Sequence, residues 1–303
     1  SSGSGVSTTS NLAAGSLGSE TSGSILSPSS ANSLVGMKPT IGNVSRAGIV
    51  PISSTLDTAG PMTKFVIDNI LIYNAINDFD PIDEYSLENY DIKLESVIDN
   101  KTIEYRIGYY KSFYERDVLY KNSIDFLKEK GLDLIDIDAP EIRLEGFAKI
   151  LDEDMRHDLR SYLFSYGNKN LKVDDISSII KYNELDSVER APYGQGIFKK
   201  IIKDTMSIND FEDLKFELMS KGNDFFNIPM DKFNLDVVLS INNYHAGYAA
   251  MAHNPCLTIP MKLRKNNEPA GLTIIGKSFE EQKLYEIGYF FENNFEGRVP
   301  PKN

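Results

Sequence analysis

Apolar positions along the 303 residues follow two rhythms, and each rhythm predicts its own kind of element. In residues 64–77 (KFVIDNILIYNAIN), Val66, Ile70 and Ile76 recur at helical spacing among polar neighbours, which predicts a helix. Further on, YRIGYY (105–110) reads as a strand, YKNSIDFLKEKG (120–131) as a helix stopped by Gly131, and LDLIDI (132–137) as a second strand. Residues 141–232 are mostly helical and charged in pattern. Three more apolar runs, DVVLSI, CLTIPM and GLTIIG, predict strands in the C-terminal part. A helix from Phe279 closes the chain, with Ser278 and Glu281 spaced as a capping box and Leu284, Ile287 and Phe291 facing the core. The acidic stretch DFDPIDEYSLENYD, opening residues 78–100, reads as a surface connector. Strands alternating with helices, and no internal repeat, make this an α/β fold with a mixed sheet.

The first 60 residues obey neither rhythm. Serine fills 13 of the first 33 positions, yet Leu12, Leu17, Ile25, Leu34, Val35 and Met37 recur among them, which a flexible spacer would not need. Glycines and prolines follow at short intervals up to Met62 and predict successive tight turns.

Composition narrows the function classes. With 41% apolar residues and 16 each of Phe and Tyr, the chain can bury a sizeable core, as one large domain or two modest ones. The 32 basic and 44 acidic side chains leave a net charge of −12, and the basic ones are scattered, which argues against a nucleic-acid partner. No run of 18 apolar residues predicts a membrane span. Cys256 is the one cysteine, so neither a disulfide framework nor a thiolate metal cluster is expected, and a reducing, cytoplasmic setting fits. Any targeting segment before Ser1 would be invisible here.

Candidate chemistry is sparse. His157 sits in a charged helix and reads as a surface residue. His245 and His253, eight apart, lack the i, i+4 spacing of a helical zinc pair and read as structural. Cys256 heads an apolar strand and reads as a small buried hydrophobe. No Gly-x-Ser-x-Gly elbow occurs. Ser24 in SETSGSIL is the remaining candidate. It follows Gly23 and small Ser22, and PSSANSLVG after it predicts a short helical turn ending at Gly36. Free N–H groups at such a turn suit a developing oxyanion, although composition alone favours a plain serine-rich loop.

Several blocks decide between these readings. SSGSG (1–5), GSETSGSILSPSS (18–30), GMKPTIGNVSRAGIVPIS (36–53) and LDTAGPM (56–62) resemble, in order and spacing, the defining region of the amidase signature family. NNYHAGYAAMAHNPCLTIPM and EPAGLTIIGKSFEEQKLYEIGYFFEN are similar to its closing strands and helix, and residues 182–198 form a weaker match between. The resemblance implies one domain over residues 1–303, a mixed sheet covered by helices on both faces, with residues 141–235 as helical insertions walling the pocket. It implies a Ser-cisSer-Lys hydrolase that takes small carboxylic amides through a seryl acyl-enzyme to acid plus ammonia or amine. Ser24 would be the nucleophile, with the backbone N–H groups of Thr21, Ser22, Gly23 and Ser24 lining the oxyanion hole. No metal, organic cofactor, nucleic acid or membrane is implied, and a homodimer is compatible with it.

The chain departs from the family's Gly-Gly-Ser-Ser-Ser-Gly-Ser-Gly run, whose first serine is the relay. Ser1 lies 23 residues before Ser24, one fewer than that relay, so Ser1 and Ser2 match the second and third serines. The relay and the base lysine would precede Ser1, whereas Lys38 matches a structural family position. The expectation is therefore a C-terminal piece of an amidase, inactive by itself. Leu26 stands where many members carry Arg, which argues against a carboxylate-bearing group beside the nucleophile, and Glu20 replaces an Asp. Two rival roles remain: the A-type glutaminase component of an amidotransferase for tRNA-dependent amidation, or an incomplete remnant acting as an interaction module through its acidic, Tyr-rich residues 78–120.

Overall fold

The computed structural model describes residues 1–88, 90–99, 102–168, 170 and 172–301. The chain opens with α1 (Ser2–Thr9), β1 (Gly15–Glu20), α2 (Leu26–Ala31), β2 (Val35–Lys38), β3 (Thr58–Thr63) and α3 (Val66–Ile76). Next come α4 (Leu94–Asp99), β4 (Arg106–Tyr110), α5 (Lys111–Arg116), α6 (Val118–Glu129) and β5 (Asp133–Ile137). A helical stretch follows: α7 (Phe147–Tyr166), α8 (Ile176–Glu184), α9 (Ser187–Arg190), α10 (Gly196–Ile201) and α11 (Ile208–Phe233). The chain closes with β6 (Val237–Ile241), α12 (Ala246–Met251), β7 (Cys256–Leu263), β8 (Pro269–Ile275) and α13 (Glu281–Phe295).

All eight strands join one mixed sheet in the order β1-β3-β2-β7-β8-β6-β4-β5. β4 runs parallel to β5 and β6, and the remaining pairs are antiparallel. Alternation along the central strands divides the core. Val237, Leu239 and Ile241 of β6 face Ile70 of α3, Ile124 of α6 and Leu284, Ile287 and Phe291 of α13. Val238 faces the other way, onto Phe226 of α11 and Ala249 of α12. Helices therefore cover both faces, as the period of two in a strand requires when both sides are buried. Each fully buried Leu, Ile or Phe contributes about 1.5–3 kcal/mol to this arrangement. A separate cluster, Leu56 with Ile150, Leu218 and Met251, ties α7 and α11 to the loop before β3.

Four local expectations are corrected. The capping box at Ser278 does not form: its hydroxyl donates to the His253 carbonyl (3.3 Å), and the Glu281 carboxylate accepts from Thr40 N (2.8 Å) and Asn43 Nδ2 (2.9 Å). With both partners engaged elsewhere and Phe279 left-handed at φ 68, α13 starts only at Glu281. The turn after Ser24 is helical only to Ala31, and Val35–Lys38 is strand. Residues read as successive turns also hold β3. The acidic connector carries α4. Asn89 and Asn100 of that connector, and Lys169 and Leu171 of the helical region, lie outside the described residues.

Candidate active site

Ser24 sits where a strand hands over to a helix. β1 ends at Glu20, residues 21–25 turn, and α2 begins at Leu26. The turn needs Gly23: its φ of +111° lies in the left-handed region, and a Cβ there would stand 2.9 Å from Asn243 Nδ2. Ser24 is exposed, and no hydrogen bond engages its hydroxyl among the described residues.

The turn is held from below by Glu20, which is buried. Its Oε2 accepts from the N–H groups of Ile25 (2.7 Å) and Leu26 (2.9 Å), satisfying the first free donors of α2. Burial raises the Glu20 pKa above the usual 4.5, opposed by the N–H groups of Leu26 and Ile25, the charge of Lys38 and the N–H of Gly23. The N–H groups of Ser22 and Ser24 make no hydrogen bond among the described residues, while that of Gly23 turns partly toward Glu20. Thr21 donates its hydroxyl to Asp57 Oδ1 (2.5 Å), whose Oδ2 accepts from Ile52 N (2.8 Å) and Ser53 N (2.9 Å). Burial raises the Asp57 pKa as well.

Ser1 packs against strand β1. Ser1 Oγ accepts from Ser19 N (3.0 Å) and donates to Ser19 O (3.1 Å), one residue before Glu20, and Ser2 starts α1, exposed. Lys38 is fully buried on β2, donating to the Asn254 carbonyl (2.6 Å). Burial lowers its pKa, against the pull of Cys256, Glu20 and Glu281. Cys256 is fully buried with its thiol pushed up to about 12, so it carries no thiolate at neutral pH. His245 is buried in an aromatic nest with Nδ1 on Ser240 Oγ (2.9 Å), and burial pushes its pKa down to about 4. His253 is likewise lowered to about 4, mainly by burial, and His157 is exposed on α7. Among the described residues, no group of three or more His, Cys, Asp or Glu is placed to hold a metal ion, and no helix is long and apolar enough to cross a membrane.

Sequence reasoning missed Asn243, which packs on Gly23 from the loop after β6, and Asp57, which holds Thr21. It also missed Asp57 as part of the wall of an open cleft of about 350 Å³, whose side is formed by α7, within the 141–235 stretch expected to wall a pocket. These contacts join positions 36 to 220 residues apart, and no local pattern announces them.

The sequence profile of the Amidase family matches residues 1–285. A probable amidase of Arabidopsis thaliana is 29% identical over the whole chain and 61% of its own length. The A component of the glutamyl-tRNA(Gln) amidotransferase of Thermoanaerobacter pseudethanolicus is 30% identical over 92% of the chain and 63% of its own. Among solved structures, an amidase family protein from Bacillus anthracis superimposes with a TM-score of 0.91 at 30% identity, over 99% of this chain and 61% of that one. The peptide amidase of Stenotrophomonas maltophilia gives 0.87 at 25% identity, over 99% and 66%. The chain thus spans less than two thirds of the length of these relatives.

Proposed function

This chain belongs to the amidase signature family, and from that premise we propose that Ser24 is the acylating nucleophile of a small-molecule amidase. One observation carries the reading: an exposed serine on a strand–turn–helix whose glycine is left-handed and whose helix donors are held by Glu20. In the proposed reaction Ser24 Oγ bonds to the amide carbonyl carbon, and the carbonyl electrons move onto oxygen. Of the four backbone N–H groups assigned to the oxyanion hole, Thr21, Ser22, Gly23 and Ser24, the unengaged ones of Ser22 and Ser24 are the first to stabilise that oxyanion, since that of Gly23 is shared with Glu20. Its collapse breaks the C–N bond, the nitrogen leaves with a proton as ammonia or amine, and water then hydrolyses the ester to free acid and Ser24.

The resemblance puts the proton relay, a serine and a lysine, before Ser1 in this numbering. Ser1 is hydrogen-bonded to Ser19 on the strand that leads into the Ser24 turn, which supports that placement. Residues 1–303 alone are therefore expected to turn over no amide, and measured turnover would refute this part. In a longer chain carrying both groups, small carboxamides are hydrolysed and a fluorophosphonate labels Ser24 by mass spectrometry. Ser24→Ala abolishes both, with a fall in kcat of about a thousandfold or more. Hydrolysis at full rate with alanine there overturns the assignment.

A second reading, the glutaminase component of a tRNA-dependent amidotransferase, is favoured by the relatives of that kind. Copurification with a second protein of such a complex, together with glutamine-dependent ammonia release, would select it over the free amidase.

A further inference from the structure

The cleft walled by Asp57 is linked to the turn of Ser24 through Thr21. β1 and β3 pair Glu20 with Thr58, so Thr21 and Asp57 meet at the same end of the sheet, and their side chains are hydrogen-bonded. Asp57 of the cleft wall thus holds the side chain of Thr21, three positions before Ser24 in the chain. Its far side is one face of α7: Asp158, Ser161, Tyr162, Ser165 and Tyr166 line it, spaced three, four, seven and eight residues from the first.

Its charge is one-sided. Among the lining residues one guanidinium, Arg46, stands against four carboxylates, Asp57, Asp83, Glu84 and Asp158. Arg46 is already committed: Nε lies 3.1 Å and Nη2 3.2 Å from Asp83, Nη1 donates to the Ser54 carbonyl, and its plane covers Tyr85 at 4.3 Å. Asp158 accepts from Ser54 N (2.6 Å) and Asp57 accepts from Thr21, Ile52 and Ser53. Neither carboxylate has a cation in ion-pair contact among the described residues. An anionic substrate would meet this excess of negative charge with the one arginine spent. A cationic group would meet carboxylates together with the Tyr162–Tyr166 ring pair, whose centroids are 5.2 Å apart. Carboxylate plus aromatic wall is the chemistry that recognises an organic ammonium.

We propose that this cleft binds the ammonium group of an amine-bearing amide whose carbonyl lies at Ser24, with Asp158 setting the preference. The proposal rests on Ser24 as the nucleophile for the placement of the carbonyl, and on the cleft alone for the charge. It is tested by binding, so turnover is not required. Isothermal titration of the 303-residue chain compares 5-aminopentanamide with hexanamide, its isostere with methyl in place of ammonium, at low ionic strength. The expected result is tighter binding of 5-aminopentanamide by about tenfold or more. Asp158→Asn keeps an acceptor for Ser54 N–H and should bring the ratio down to about threefold or less. Glu84→Gln, at the exposed rim, lowers it by a smaller factor and serves if the first variant fails to fold. Equal affinity of the two amides, no detectable binding of 5-aminopentanamide, or a ratio unmoved by either variant overturns the proposal. If the ratio behaves as expected while Ser24→Ala still hydrolyses amides in the longer chain, the cleft assignment stands and the nucleophile assignment falls.

Discussion

Glu20 is where the architecture of the nucleophile turn can be broken by one substitution. Glu20→Ala leaves the N–H groups of Ile25 and Leu26 without their acceptor in a buried site. An orphaned buried donor costs about 1–3 kcal/mol, so the two together cost about 2–6 kcal/mol. Against this, the substitution removes a carboxylate that burial already disfavours, as its raised pKa shows, but also one of the negative charges that support the buried Lys38 ammonium. These charge effects oppose each other, so the lost hydrogen bonds decide, and the net cost should be about 3 kcal/mol. Glu20→Gln retains one oxygen able to accept both N–H groups and should cost about 1 kcal/mol or less. Guanidinium denaturation is the assay, with the midpoint moving and the slope unchanged. In a longer chain that labels at Ser24, fluorophosphonate labelling should slow with Ala and persist with Gln. If Gln costs as much as Ala, negative charge rather than hydrogen bonding holds the turn; if Ala costs nothing, Glu20 does not hold it at all.

Gly23→Ala must enter a left-handed conformation and push against Asn243, so a loss of about 1–3 kcal/mol is expected, together with weaker labelling of Ser24. An unchanged melting temperature would contradict that. Glu292 accepts from Val66 N at the start of α3 (3.0 and 3.1 Å), and burial raises its pKa from 4.5 to about 7. The folded chain therefore holds this proton more tightly than the unfolded chain. Its contribution to stability is full below about pH 4.5 and is lost as pH rises through about 7, by up to about 3 kcal/mol. Glu292→Gln should gain on the wild type across that window, and denaturation curves whose difference stays constant with pH would refute the assignment.

The legible part of the fold is the part built from large apolar residues. Strands β4 to β8 and helices α3, α6 and α13 bury Val, Ile, Leu and Phe in the periods their sequences display. Strands β1 to β3 escape such reading because close approach, not apolar bulk, selects their residues. A Cβ at Gly60 would lie 2.0 Å from the Met37 carbonyl, and one at Gly36 would lie 2.2 Å from Ser29 Oγ. Glycine, serine and threonine look like loop residues for the same reason that they pack here. Of the candidate site, Ser24 and Gly23 stand out only through the family resemblance, since local composition favours a serine-rich loop, and Glu20 reads as a replacement for Asp with no sign of its hold on Ile25 and Leu26. Lys38 lies in a stretch that reads as turns and matches a structural family position, and its complete burial arises from β7 and the loop before it, more than 200 residues away.

The loop between Ile52 and Asp57 ties the cleft to Thr21, in the turn that carries the proposed nucleophile Ser24. Asp154 and Asp158 of α7 accept from Ser53 Oγ and from the N–H groups of Thr55 and Ser54. Asp57, at the end of the same loop, accepts from Ile52 and Ser53 on one side and from Thr21 on the other. A shift of α7 is therefore passed to Thr21 through carboxylates with fixed partners, while Leu56 anchors the loop to Ile150 and Met251. Burial raises Asp158 to about 6, so near that pH protonation weakens the hold on Ser54 and the negative charge of the cleft together. In a longer chain that turns over amides, substitutions on this face of α7 should therefore change kcat as well as KM, whereas a pocket wall independent of the turn would change KM alone.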